Sequence, residues 1–136
     1  MLVSTSKFLK AWLPVVLWAA LILSAANDEF SEAKTRGWLA QLLGSAPKIV
    51  NTIVRKSGHI VAYAVLALLG WRAQRSLAVA LFIAVAVAIT DETLQSTTLT
   101  RAGSPYDVVL DTCGALLALI CVPAVRARLS SRRPAA

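Results

Sequence analysis

Long apolar stretches alternate with short polar connections along this chain. Four stretches approach or exceed the roughly 20 residues that a membrane helix needs, and they cover approximately residues 8–26, 49–71, 77–95 and 105–125. Alternation of period two is missing, and Ala, Leu, Val and Ile occur on every helical face, which favours helices packed in lipid over barrel strands. The pattern predicts an all-α membrane protein, a compact bundle of four transmembrane helices in a single domain over residues 1–136.

A shorter amphipathic segment, residues 30–43, lies between the first and second spans. Its apolar side chains include Trp38 and Leu42, and its polar side chains include Lys34 and Arg36. We therefore predict a short interfacial helix on the membrane surface. A role as a lid over a neighbouring site is the alternative.

The composition agrees with a membrane protein. Apolar residues make up 57% of the 136 residues and charged residues only 15%, with a mean hydropathy of +0.67. This is more apolar than a water-soluble domain of ordinary composition. Four spans use most of the chain, so no separate soluble domain is predicted.

The net charge of +7 is divided unevenly between the two ends of the predicted helices. Because Lys and Arg accumulate in cytoplasmic loops, the basic end, which holds both termini, is predicted to face the cytoplasm. The other end has six basic residues and all seven acids, and the charge thus reflects topology and not nucleic-acid binding. The eight basic residues at the cytoplasmic end are Lys7, Lys10, Arg72, Arg75, Arg126, Arg128, Arg132 and Arg133.

The first span has an alternative interpretation as a cleavable signal peptide. Lys7 and Lys10 precede it, and residues 24–26 (Ser-Ala-Ala) resemble a signal-peptidase site. Trp12 and Trp18 suit a retained helix with interfacial and lipid-packed positions. A retained span is therefore the preferred interpretation.

The two cysteines are predicted to be free. Cys113 and Cys121 lie on the same predicted helix, about 12 Å apart at 1.5 Å per residue, which is farther than a disulfide reaches. The spacing also fits no paired zinc-ligand motif. Both are interpreted as small packing residues.

Three of the apolar spans each carry two polar side chains four residues apart, and residues at this spacing share a helix face. Ionisable groups inside a span cost about 3 kcal/mol each on insertion scales, so these pairs indicate a shared polar site. The helix directions place all of them near the outer membrane interface, beside Lys56. The pairs are His59 with Tyr63, Asp91 with Gln95, and Asp107 with Asp111.

Two further residues belong to these helix ends. Gly114 lies one turn after Asp111 and predicts a close approach of a neighbouring helix. Glu92 is rotated by about 100° from Asp91, so it is predicted to face a different neighbour.

The polar motifs resemble those of the VanZ-like family. The matching strings are RKSGHIVAY at residues 55–63, DETLQ at residues 91–95, Arg101, and the Asp107, Asp111 and Gly114 positions. Ala102 and Pro105 are departures in the turn after Arg101. The resemblance implies a small bacterial envelope protein in the cytoplasmic membrane, from a family named after a member linked to teicoplanin resistance. It also adds Lys56 and Arg101 as the cationic complement of the acids.

The candidate site combines these acids with the two cations. His59, Asp91 and Asp107 are the candidate catalytic residues, with His59 acting as general acid or base and oriented by Asp91 or Asp107. The cations suit an anionic head group. The candidate substrate-binding residues are Lys56, Tyr63, Glu92, Gln95, Arg101 and Asp111.

No cofactor and no metal ligand is predicted. Two carboxylates and His59 leave a divalent cation open as an alternative, against which Lys56 and Arg101 would compete. A purely structural network of ion pairs that holds the helices together is a further alternative.

Three functions remain open. The preferred one is binding or shielding of an anionic membrane lipid or lipid-linked cell-wall precursor at the outer face, with an effect on susceptibility to glycopeptide antibiotics. The second is an enzyme that modifies such a phosphate-bearing molecule by His/Asp acid–base chemistry. The third is a proton- or ion-coupled transport element, against which residues 64–70 and 78–88 contain no ionisable group.

Overall fold

The computed structural model describes residues 5–25, 32–45, 47–97 and 104–131, and within these ranges it is helical with no strand. The helices are α1 (Thr5–Ser24), α2 (Glu32–Leu43), α3 (Lys48–Gln74), α4 (Leu77–Ser96) and α5 (Pro105–Ser131). Four of them, α1, α3, α4 and α5, are long and apolar enough to cross a membrane. The predicted four-helix membrane bundle with a short helix after the first span is confirmed.

The helix ends differ from the predicted boundaries by a few residues. α3 continues past residue 71 to Gln74, where Arg75 adopts a left-handed conformation (φ 58°) and its N–H caps the Trp71 carbonyl. α5 continues past residue 125 to Ser131, because the apolar stretch ends there but Arg, Ala and Leu still favour a helix. α2 begins at Glu32, two residues later than predicted.

Helix α3 is the centre of the bundle, since it contacts all four other helices. Several of the buried side chains between α3 and α4 are small, among them Ala67, Gly70 and Ala80. Gly70 of α3 lies so close to α4 that a Cβ atom there would be 3.3 Å from the Cα of Ala80. Small residues permit this backbone approach between membrane helices. The buried alanines are Ala67, Ala80, Ala84, Ala88 and Ala115.

Helices α3 and α5 approach even more closely at Gly114. A Cβ atom at this position would lie 2.7 Å from the carbonyl oxygen of Ile60 and 3.0 Å from its Cα. The close helix contact predicted at Gly114 is confirmed, and it lies one turn from Asp111 and one residue from His59.

Two hydrogen bonds at different heights along the bundle join helix α1 to α3. The indole Nε1 of Trp18 donates to the carbonyl oxygen of Ala62 at 2.9 Å, and the Arg72 guanidinium donates to the Ala11 carbonyl at 3.2 Å. Val15 and Ile22 are buried against the other helices. In this structure, α1 packs against the other helices as one wall of the bundle.

The sides of the bundle, which run along the helices, carry many exposed apolar side chains. Leu17, Val61, Phe82 and Leu117 are all more than half exposed, as expected for side chains that face lipid. On α2, Leu42 is 80% exposed.

Cys113 and Cys121 are free, as their spacing predicts, but both are exposed. The interpretation of the cysteines as packing residues is wrong, because their side chains point away from the bundle interior.

Candidate functional site

Four side chains spaced by four residues form a polar stripe along the first half of α3. Asn51 and Tyr63, at its two ends, are buried, whereas Arg55 and His59 are partly exposed. The rings of His59 and Tyr63 stack with centroids 6.4 Å apart. The shared face predicted for His59 and Tyr63 is present.

Asp91 projects from α4 toward this stripe and is only 2% exposed. Its Oδ2 accepts two hydrogen bonds, one from the Tyr63 hydroxyl at 3.2 Å and one from the Gln95 side-chain amide at 3.1 Å. The pair of Asp91 and Gln95 thus acts as one unit, and Tyr63 ties it to α3.

Asp111 projects from α5 and is 1% exposed. Its Oδ2 lies 3.4 Å from Nδ1 of His59. Asp111 is therefore the hydrogen-bonding partner of His59, in place of the predicted Asp91 or Asp107. The reason is helix rotation, since the close contact of Gly114 with Ile60 brings the first turns of α5 against this part of α3.

The outermost polar pair is an ion pair. Lys56 Nζ lies 2.8 Å from Asp107 Oδ1, with half of the Lys56 side chain and a third of the Asp107 side chain exposed. Asp107 thus pairs with Lys56 one helical turn nearer the start of α5 than the contact between Asp111 and His59. Its predicted catalytic partnership with His59 has no hydrogen bond to support it among the described residues.

Glu92 is buried and faces the beginning of α5, where its carboxylate accepts from the backbone N–H of Ser104. This agrees with the prediction that Glu92 faces a different neighbour from Asp91. Arg101, the remaining predicted binding residue, lies outside the described residues.

Two adjoining cavities open on this polar cluster. The larger, about 300 Å³, has mainly apolar walls from α1, α2 and α3, including Ile22, Trp38 and Val54, and ends on the polar cluster. The smaller, about 70 Å³, contains the pair of Lys56 and Asp107. The two cavities share Arg55, His59 and Gln95 in their walls. These three polar side chains, called the partition, therefore separate the larger, apolar cavity, called the chamber, from the smaller cavity, called the charged pocket.

The residues assembled here are those of the RKSGHIVAY, DETLQ and D…D..G motifs. The model of the VanZ/LLP1 family matches residues 6–126. The chain belongs to the VanZ/LLP1 family. No curated protein and no solved structure matches the chain significantly.

The VanZ/LLP1 match extends from α1 to α5, so it includes residues that the sequence reasoning left out of the site. Arg55 lies in the walls of both cavities, and Trp38 of α2 lines the larger one. Asn51 is completely buried at the start of the α3 stripe. The spacing of four residues that joins His59 to Tyr63 continues backward to Arg55 and Asn51, and this signal identifies both.

Proposed function

We propose that this VanZ/LLP1 protein binds an anionic amphipathic molecule of the bacterial envelope, a membrane lipid or lipid-linked cell-wall precursor. The observation that carries this proposal is the contact of an apolar chamber with a charged pocket across Arg55, His59 and Gln95. An acyl or isoprenoid chain suits the apolar walls, and a phosphate suits the cations. The chamber volume lies at the lower limit of the roughly 300–1,000 Å³ that is typical of small-molecule sites.

The charges at the polar end suit an anionic head group despite the neighbouring acids. Lys56 pairs with Asp107 in a half-exposed position, where a solvent-exposed ion pair is worth only about 0–1 kcal/mol. A phosphate is able to exchange with the Asp107 carboxylate at this small cost. Arg55, between the two cavities, adds a guanidinium that matches phosphate geometry.

The proposed site faces outward. The basic residues assigned to the cytoplasm include Arg72 and Arg75, at the far end of α3 from the polar cluster. By the positive-inside rule we therefore propose that both termini lie in the cytoplasm and that the cavities lie near the outer leaflet of the cytoplasmic membrane. A reporter that is active only outside the cytoplasm can be fused to each terminus. Activity of either fusion would contradict this orientation.

The expected cellular effect follows from what is bound. Shielding a lipid-linked wall precursor at the outer face reduces the access of glycopeptide antibiotics to it. Loss of the protein is expected to increase teicoplanin susceptibility. The shielding role is supported if the wild-type chain restores the original teicoplanin susceptibility and a variant with a filled chamber does not.

The chamber offers a direct test at Gly58. This residue lines the chamber, and a Cβ atom there meets nothing within 4 Å. Gly58→Leu therefore fills the chamber without removing any polar group. Gly37→Leu is the matched control, because Gly37 also meets nothing within 4 Å and does not line either cavity.

The measurement is native mass spectrometry and extraction of co-purified lipids from the three proteins. Wild type and Gly37→Leu are expected to retain the same phosphate-bearing lipid, and Gly58→Leu is expected to lose it. Equal retention by Gly58→Leu, in a protein that elutes normally, would contradict binding in the chamber.

The contact between His59 and Asp111 favours an enzyme as the second candidate function. A carboxylate that accepts from one imidazole nitrogen fixes the tautomer and leaves the other nitrogen for acid–base chemistry. Such an enzyme would change its bound lipid chemically. His59→Gln is then expected to abolish the chemical change while the lipid is still retained. If the wild-type protein leaves the lipid profile unaltered, binding without catalysis is the function that remains.

The transport alternative gains no support from the described residues. The buried side chains toward the other end of the bundle are apolar, as in Leu66, Ala67, Ala80 and Ala84. A proton or ion relay needs polar groups at these depths.

A further inference from the structure

His59, Asp91 and Asp111 come from three different helices and converge on one point. One ligand atom from each, an imidazole nitrogen and two carboxylate oxygens, lies within 4.8 Å of the others. The two aspartates are almost completely buried and His59 is partly buried. Three protein ligands with a further position left open are the usual arrangement of a catalytic zinc site.

Each of the two aspartates has one carboxylate oxygen in use and one without a partner. Oδ2 of Asp91 accepts from Tyr63 and Gln95, and Oδ2 of Asp111 contacts His59. Oδ1 of each is buried and has no hydrogen-bond partner among the residues that the structure describes. A buried anionic oxygen without a partner is costly unless a cation or donor binds it.

Lys56 does not supply this cation. The Lys56 ammonium contacts Asp107 at 2.8 Å, which leaves it outside the triangle of His59, Asp91 and Asp111. Lys56 was expected to compete with a metal for the carboxylates, but it pairs with a different one, that of Asp107.

We propose that His59, Asp91 and Asp111 form a binding site for a divalent transition-metal cation, Zn²⁺ or Mn²⁺. One imidazole and two carboxylates suit these ions, whereas Mg²⁺ and Ca²⁺ favour oxygen ligands alone. Binding would draw the three ligand atoms together, to about 3.3 Å for a tetrahedral ion with ligand distances near 2.0 Å. The site stands on its own contacts and does not depend on lipid binding in the chamber.

Tyr63 and Gln95 complete the site as positioning residues. Both donate to the same oxygen of Asp91, which fixes the orientation of the carboxylate, while its other oxygen has no hydrogen-bond partner among the described residues. Such outer hydrogen bonds commonly alter metal affinity by about 10–100-fold. Because three protein ligands leave at least one position open, a phosphate or water from the adjoining cavities is able to complete the coordination.

The single histidine of this chain makes a direct test possible. His59 is the only histidine in the sequence, so the protein is purified in detergent with a tag that contains no histidine and is loaded with Mn²⁺. Pulsed electron paramagnetic resonance is expected to show coupling to one imidazole nitrogen, and ¹⁵N-labelling of histidine is expected to change that coupling. Mn²⁺ that binds without nitrogen coupling, or no Mn²⁺ binding, would overturn the site for Mn²⁺.

Zn²⁺ titration by calorimetry gives the second readout. Wild type is expected to bind one Zn²⁺, His59→Gln and Asp111→Asn at least about 100-fold more weakly, and Tyr63→Phe about 10–100-fold more weakly. Glu32→Gln is the charge control for metal affinity, because it removes one acidic charge from α2, a helix that supplies none of the three ligands. An equal loss in Glu32→Gln would show diffuse charge attraction and overturn the site.

The Mn²⁺ spectrum and the Zn²⁺ titration of the wild-type protein both use the unchanged chain, so together they decide the proposal even where a variant fails to fold, and binding of neither ion would overturn it. The lipid test at Gly58 leaves all three proposed ligands unchanged. Metal binding without lipid retention, or lipid retention without metal binding, therefore separates the two proposals.

Discussion

Replacement of Gly114 by alanine is expected to separate α3 from α5 at the polar cluster. The new Cβ would lie 2.7 Å from the Ile60 carbonyl oxygen and 3.0 Å from its Cα. Ordinary contacts begin near 3.4 Å, so the two backbones must move apart by roughly half an ångström or more. Neither neighbouring atom belongs to a flexible side chain, so no rotamer change relieves the overlap.

The energetic cost follows from two opposing terms. Gly→Ala in a helix interior gains about 1 kcal/mol of helix propensity, and overpacking in a close helix contact costs about 1–3 kcal/mol. Gly58→Ala is the matched reference, since it gains the same propensity and meets nothing within 4 Å. Gly114→Ala is therefore expected to be less stable than Gly58→Ala by about 1–3 kcal/mol.

Unfolding in mixed detergent micelles, followed by far-ultraviolet circular dichroism, measures this difference. Gly70→Ala supplies an intermediate case, because its Cβ would lie 3.3 Å from the Cα of Ala80. The expected order of stability is Gly58→Ala, then Gly70→Ala, then Gly114→Ala. Equal stability of all three would refute the reasoning that backbone contact at Gly114 sets the position of α5.

Three further outcomes are expected. Trp18→Phe removes the bond from the indole to the Ala62 carbonyl and is expected to cost about 0.6 kcal/mol, the average for hydrogen bonds between membrane helices; an unchanged micelle unfolding midpoint would contradict a role in fastening α1. Tyr63→Phe removes a donor to buried Asp91 and is expected to cost up to about 1.7 kcal/mol in the same assay. A smaller loss is expected for the control Thr112→Val, because the Thr112 hydroxyl donates within its own helix to the Val108 carbonyl. Lys56→Met removes a half-exposed ion pair, so the free energy of unfolding is expected to change by less than about 1 kcal/mol while retention of phosphate-bearing lipid falls. Lys48→Met is the control. Equal lipid retention by both variants would exclude Lys56 from head-group binding.

The element types and the shared faces of the polar pairs were predictable because both depend on local periodicity. Hydropathy defines the spans, and a spacing of four residues places Asp91 beside Gln95 whatever surrounds them. The hydrogen bond between these two side chains confirms this step.

The contacts between helices were less predictable, because they depend on how each helix is rotated. His59 contacts Asp111 and Lys56 contacts Asp107, although both acids lie on one face and either assignment satisfies the spacing. The choice is made by the backbone contact of Gly114 with Ile60, a distance that hydropathy does not encode.

The chamber was not predicted from the sequence for a related reason. Its volume arises where small residues such as Gly58 and Ala62 meet side chains of α1 and α2. A cavity is defined by the absence of atoms between separate segments, and a residue pattern within one segment does not report it.

The close contact of Gly70 with Ala80 has a mechanical consequence for the opposite end of the bundle. Because the two backbones are packed closely at this point, a change in the angle between α3 and α4 would pivot here. Arg55 lies about 22 Å along α3 from Gly70, at 1.5 Å per residue. A change of about 5° in the angle between the helices thus moves Arg55 by about 2 Å at this rise. A small change in this angle would therefore alter the spacing between the α3 and α4 side chains that separate the two cavities.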